Sequence, residues 1–108
     1  MNSEFTRKSA LDLEAILKKY ESSHEDSRTV LNGLQSLIDD AKNGEVIIPT
    51  FVPFGYAITE GLIKLPQDAE AAYSKFSLLL THGEEKYKDL IKWAEERKQK
   101  IFGNGNDV

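Results

Sequence analysis

Two histidines, 18 acidic side chains and no cysteine limit the chemistry open to this 108-residue chain. Without thiols, disulfides, thiolate zinc sites and cysteine nucleophiles are excluded. His24 stands beside Glu25 and Asp26. Adjacent residues on a turn point in different directions, whereas metal-binding helices space their ligands i, i+3 or i, i+4. Asp39 and Asp40, with Glu45 beyond a turn, offer oxygen ligands to a hard cation but lack the alternating Asp/Asn loop of a calcium site. Both clusters are expected to be solvated acidic surface, with no metal. His82 precedes Gly83 at a helix end, where the dipole favours an imidazolium and a capping role outweighs that of a general base. The pairs Glu84-Glu85 and Glu95-Glu96 fall on charged helix faces with nothing apolar nearby to raise a carboxyl pKa. No serine occupies a G-x-S-x-G elbow, and no glycines form a phosphate-binding pattern. The residues therefore point to a protein that is not an enzyme and carries no cofactor.

Charge and hydropathy narrow the remaining classes. The formal net charge is −4, from 14 basic and 18 acidic groups. A mildly acidic body argues against binding a phosphate backbone, which needs clustered Lys and Arg, and suits a basic protein partner. The longest uncharged apolar stretch, Val46 to Thr59, is 14 residues with two prolines, against about 20 for a membrane span. The amino-terminal residues lack the apolar run of a signal peptide. The expectation is a cytoplasmic protein with no membrane or nucleic-acid partner.

The elements that must position any site are helical. Apolar residues recur at i, i+3, i+4 and i+7 in four long segments. In the first, Ala10, Leu13, Ile16, Leu17 and Tyr20 align. Ser9 and Asp12 could form a capping box there, or the helix could start nearer Ser3, and it should stop near Ser22-Ser23. The second runs from about Ser27 to Asn43 with Val30, Leu34, Leu37, Ile38 and Ala41 in register, and Asn43-Gly44 supplies the stop. Gly33 sits in the middle of this helix at a cost of about 1 kcal/mol relative to Ala, which implies close packing against a neighbour. The stretch from Glu45 to Leu65 is too rich in proline for a central strand and reads as a buried connection. Within it Pro53 suits the first position of a short helix striped by Phe54, Ala57, Ile58 and Leu62, with Gly61 near its end. Pro66 should open a further helix with the stripe Ala69, Ala72, Tyr73, Phe76, Leu79 and Leu80, closed by Gly83. The last helix starts at Glu84-Glu85, repeats Tyr87, Leu90, Ile91, Ala94 and Ile101, and should be capped by Gly103. The prediction is an all-α, single-domain bundle over residues 1–103, with four main helices, one short helix and no β-sheet, followed by a mobile tail at 104–108.

What remains is surface suited to a partner. Phe51, Phe54 and Tyr56 fall within six residues on a segment joining two helices, and aromatics are favoured interface anchors. Phe51 and Phe54 could instead plug one end of the bundle, which leaves Tyr56 as the expected exposed member. Trp93 lies off the centre of its helical stripe, at the edge of the core or at a contact.

The middle of the chain, roughly residues 28 to 82, resembles the small all-α immunity proteins of interbacterial competition, in particular those that neutralise type VI secretion effectors attacking nucleotide pools. The features that carry it are the Leu37-Ile38 pair late in a helix, the apolar connection after it, the short-helix sequence Ala57-Ile58-Thr59-Glu60, the helix start Pro66-Gln67-Asp68-Ala69-Glu70, and Tyr73. The resemblance does not extend over the terminal helix. It implies a protein with no activity of its own that binds a cognate toxin domain, expected to be basic, and occludes its active site. The residues expected to bind are Tyr56 and Glu60, with Phe54, Asp39, Asp40 and Glu45 as neighbours. The alternative is a non-catalytic helical adaptor or regulatory subunit acting through protein–protein contacts, for which a homodimer is also open.

Overall fold

The computed structural model describes residues 3–104, with side chains through Arg97. The chain is all-α: helices α1 (Glu4–Tyr20), α2 (Glu25–Lys42), α3 (Gly55–Thr59), α4 (Gln67–His82) and α5 (Glu84–Asn104), with no strand among the described residues.

The start of each long helix is set by a specific cap. Ser3, not Ser9, caps α1, its hydroxyl accepting the Thr6 N–H at 3.1 Å. Ser9 lies one and a half turns inside the helix and is buried. Helix α2 begins two residues earlier than its apolar pattern suggests, because His24 Nδ1 accepts the Ser27 N–H at 3.1 Å and serves as the cap. Histidine is not a preferred capping residue, so this start leaves little signal in the residue types. Pro66 is the cap of α4 and not its first helical residue; its extended backbone hands the chain to Gln67.

Helix α1 lies between α2 and α4 and packs on both. The stripes interlock where they were expected: Ala10, Leu13 and Leu17 from α1, Val30, Leu34, Ile38 and Ala41 from α2, and Ala69, Tyr73, Phe76, Leu79 and Leu80 from α4 are all buried. Leu31 joins them, while Leu37 and Ile16 pack at the margin.

One charged residue reaches this layer. The Glu14 side chain is nearly buried between α1 and α2, where Gln35 Nε2 donates to it at 2.8 Å and Lys42 Nζ at 2.9 Å, with Lys18 at 3.8 Å. These partners, Gln35 first, hold the Glu14 carboxyl below the usual carboxylate range against the opposing effect of burial.

Helix α5 departs from expectation. Its stripe was to complete the bundle, but none of its described residues is buried. Among the described residues its start is seated, with the Tyr87 ring 5.9 Å from that of Phe5 and the Lys88 ammonium 5.5 Å above the same ring. Beyond it Ile91 and Ala94 are exposed, and Trp93 is 58% exposed with the Arg97 guanidinium 5.3 Å from its ring. The helix also runs through Gly103 to Asn104 and is not capped at Gly103. Of the tail expected at 104–108, Asn104 is helical, and residues 105–108, like the Ile101 side chain, lie outside the described residues.

Candidate partner-binding surface

The connection from Gly44 to Pro66, here called the strap, runs from the C-terminal end of α2 to its N-terminal end and fills the space between α2 and α4. It starts where Gly44 takes a left-handed backbone (φ 74°) and the Glu45 N–H bonds the Asp40 carbonyl at 2.8 Å. From there the chain forms no regular element and bends at Ile48–Pro49, and burial alternates along it. Val46 and Val52 point into the core and are buried, Ile48 is half-buried, and Ile47 and Phe51 point out. The Ile48–Pro49 bond is cis, and the Thr50 N–H reaches the Leu80 carbonyl of α4 at 2.8 Å. Thr50 also donates its hydroxyl to the Ile47 carbonyl.

The next anchor is Phe54. The sequence suggested that Pro53 would open the short helix; instead Phe54 caps it in the left-handed region (φ 78°), and Gly55 is the first helical residue. A phenylalanine in that conformation is unusual and needs tertiary support. Gly33 supplies it. A Cβ built on Gly33 would lie 2.3 Å from the Phe54 Cζ, so the ring occupies the volume that any larger residue at 33 would fill. The close approach expected at Gly33 is thus to the strap. On the other side, the Tyr73 hydroxyl of α4 donates to the Pro53 carbonyl, and burial raises its pKa above the ordinary tyrosine value.

Helix α3 is too short to bury the stripe expected of it. Ala57 and Ile58 are half-buried, but Gly61 turns the chain with φ 76° and leaves Leu62 outside. The strap closes when the Lys64 N–H bonds the Asp26 carboxylate at 2.9 Å and Leu65 enters the core.

The result is a fixed backbone that displays apolar side chains. Ile47 is 76% exposed, Phe51 82%, Tyr56 75% and Leu62 71%, so four of the seven exposed large hydrophobics among the described residues lie within this one segment. Of the two phenylalanines that could have plugged the bundle, Phe54 is half-buried against α2 and Phe51 is free. Isolated exposed apolar residues need no explanation, but a concentration of them on one ordered segment does.

The six residues expected to bind fall in three places. Tyr56 lies in α3 and Glu60 caps its C-terminal end, the two tied by the Glu60 N–H to Tyr56 carbonyl bond at 2.9 Å, and both are exposed. Phe54 precedes them with its ring engaged on Gly33. Asp40 and Glu45 flank the other end of the strap, both exposed. Their separation from Phe54 follows from Gly33, which lies seven residues, or about 10 Å, along α2 from Asp40. Asp39 belongs elsewhere: it is half-buried and accepts from Gln35 Nε2 at 3.0 Å, at the edge of the Glu14 cluster. Ile47, Phe51 and Leu62 were not among the residues named for binding: Val46-Ile47-Ile48 is an unbroken apolar run with no polar alternation to show which side chain faces out.

Two hollows flank α4. One of about 300 Å³ lies beneath α3, lined by Ile58, Glu70, Tyr73, Ser74 and Ser77. The other, about 470 Å³, lies between α1 and α4. Among the described residues no group of three or more His, Asp or Glu is placed to hold a metal ion, and no helix is long and apolar enough to cross a membrane. Comparison of the chain with protein families, curated proteins and solved structures finds no match.

Proposed function

We propose that this chain is an immunity protein, which binds a basic toxin domain in the cytoplasm through the strap and covers that domain's active site. The observation that carries the reading is the exposure of Ile47, Phe51, Tyr56 and Leu62 on a backbone pinned to α2 and α4. Aromatic and aliphatic anchors on a rigid element give an interface its affinity, because little conformational freedom is lost when they bind. Acidic groups at both ends of the strap (Asp40 and Glu45 at one, Glu60 at the other) suit a basic partner, for which charge complementarity raises the association rate and excludes wrong partners. The family resemblance over residues 28 to 82 supports the same reading, since its short-helix sequence coincides with the Tyr56–Glu60 turn.

The test is binding to the product of a toxin gene at the same locus. Replacing Tyr56 and Glu60 together with alanine should weaken the complex by about tenfold or more, while thermal unfolding of the free protein stays near that of the parent. Unchanged affinity in the double variant, or no complex with any product of the locus, overturns the proposal.

A further inference from the structure

The hollow between α1 and α4 and the bare face of α5 are complementary features left over by the fold. The hollow is an open groove with Ser9, Ile16 and Ala72 among its lining and Asp12, Asp68 and Lys75 at its edges. It lies on the opposite side of α4 from the strap, because residues 68, 72 and 75 fall on one helical face and 70, 74 and 77 on another. One end of the groove adjoins the place where the start of α5 is seated on Phe5. Lys75, which lines it, holds its ammonium 4.6 Å above the Phe5 ring, and that same ring packs on Tyr87. The apolar stripe of α5 continues from Tyr87 through Leu90, Ile91 and Ala94, one to two turns past the point where its packing stops.

An antiparallel fourth helix laid along α1 and α4 would bury both surfaces, but the chain's own α5 is prevented from doing so by its link. Helix α4 ends at His82 and α5 begins at Glu84, leaving Gly83 alone between them. Gly83 is committed on both sides: its N–H bonds the Leu79 carbonyl at 2.8 Å and its carbonyl accepts the Tyr87 N–H at 3.0 Å. Two helices that fold back on each other are joined by about two to five residues, and one residue cannot carry the chain across the distance between two packed helix axes, about 8–10 Å. A second copy has no such restriction. Short connections that forbid closure within one chain favour exchange of the element between two.

We propose that the α1/α4 groove is the docking site for α5 of a second copy, so that two chains exchange their last helices about a two-fold axis. The exchange seats Leu90, Ile91 and Ala94 of each chain in the groove of the other and leaves both straps facing outward.

The experiment is sedimentation of the full-length chain from roughly 1 to 100 μM, where association governed by mass action is visible. A dimer at the upper end is expected, and a chain that stays monomeric throughout overturns the proposal. Inserting Gly-Ser-Gly after Gly83 gives α5 the reach to close on its own groove and should yield a monomer with undiminished helical circular dichroism. Ile91→Glu should also yield a monomer. A dimer that survives both changes associates by another surface and overturns the exchange. The chain lacks cysteine, so an Ala72→Cys variant mixed with an Ile91→Cys variant should form a covalent heterodimer on oxidation; failure to cross-link while the mixture is dimeric also counts against the groove.

Discussion

The strap and α5 are opposites. The strap has almost no regular structure, yet it is held at intervals by Val46, the Thr50–Leu80 bond, Val52, Phe54, the Tyr73–Pro53 bond and Leu65. Helix α5 is regular along its length and, among the described residues, is held in its first turns, by Tyr87 and Lys88 against Phe5. Regularity and anchorage are therefore separate properties. Hydrogen bonds within a helix fix its own backbone but say nothing about where it sits, whereas an irregular segment is located by what its side chains and free amides reach.

The contrast can be broken most directly at Phe54. Phe54→Ala removes the ring that ties the strap to α2 and should cost about 2–4 kcal/mol in urea unfolding, toward the lower part of the range for large-to-small core changes because the ring is only half-buried. A loss below 1 kcal/mol would mean that the strap is located by its other anchors. Gly33→Val attacks the same joint from the helix side. It forces the ring away and should cost about 1–3 kcal/mol, even though valine is the better helix former. Combining it with Phe54→Ala should cost clearly less than the sum, since both changes remove one contact.

Glu14 tests whether the α1–α2 layer stands independently of the strap. Glu14→Gln should lower stability by about 1–2 kcal/mol at neutral pH through loss of the charge-assisted bonds from Lys42 and Gln35. Because the folded carboxyl titrates below its ordinary value of 4.5, the parent's contribution is complete above that value and disappears as pH falls through the folded pKa. The difference between parent and variant should therefore shrink in acid, as followed by denaturant midpoints across a pH series. The smallest effect expected is kinetic. The amides of Glu45, Thr50 and Lys64 should show hydrogen-exchange protection that does not depend on protein concentration. The amides beyond Leu90 should gain protection, by a few-fold, only where copies associate.

How legible all this was in the sequence follows the same division. The buried stripes of α1, α2 and α4 were readable because a period of 3.6 reports a face able to be buried, and a partner face existed for each. The same signal over Tyr87, Leu90, Ile91 and Ala94 was equally clear, but the face stands uncovered in a single chain, since periodicity records the capacity for burial and not the presence of a neighbour. Gly33 was informative because a glycine in a helix interior implies a close approach, although which group approaches could not be read. The strap was the least legible. Its conformation depends on a left-handed Phe54 and on backbone groups whose partners (the Leu80 carbonyl, the Asp26 carboxylate and the Tyr73 hydroxyl) are distant in sequence, neither of which leaves a local pattern. Hence α3 is shorter than its apolar spacing implied, Leu62 faces out, and Phe51 and Phe54 have different fates although only three positions separate them. Among the residues named for binding, Asp39 could not be told from Asp40 without knowing that Gln35 and Lys42 turn toward Glu14.

The three buried pins of the strap, Val46, Val52 and Leu65, also govern the entropy of closing it. One long loop between α2 and α4 would lose its freedom in a single step and leave its middle wandering, whereas inner pins divide the closure into shorter spans whose cost depends only logarithmically on length. Each outward side chain is thereby tethered a few residues from a fixed point, and lengthening any one span should blur the positions of the residues within that span alone.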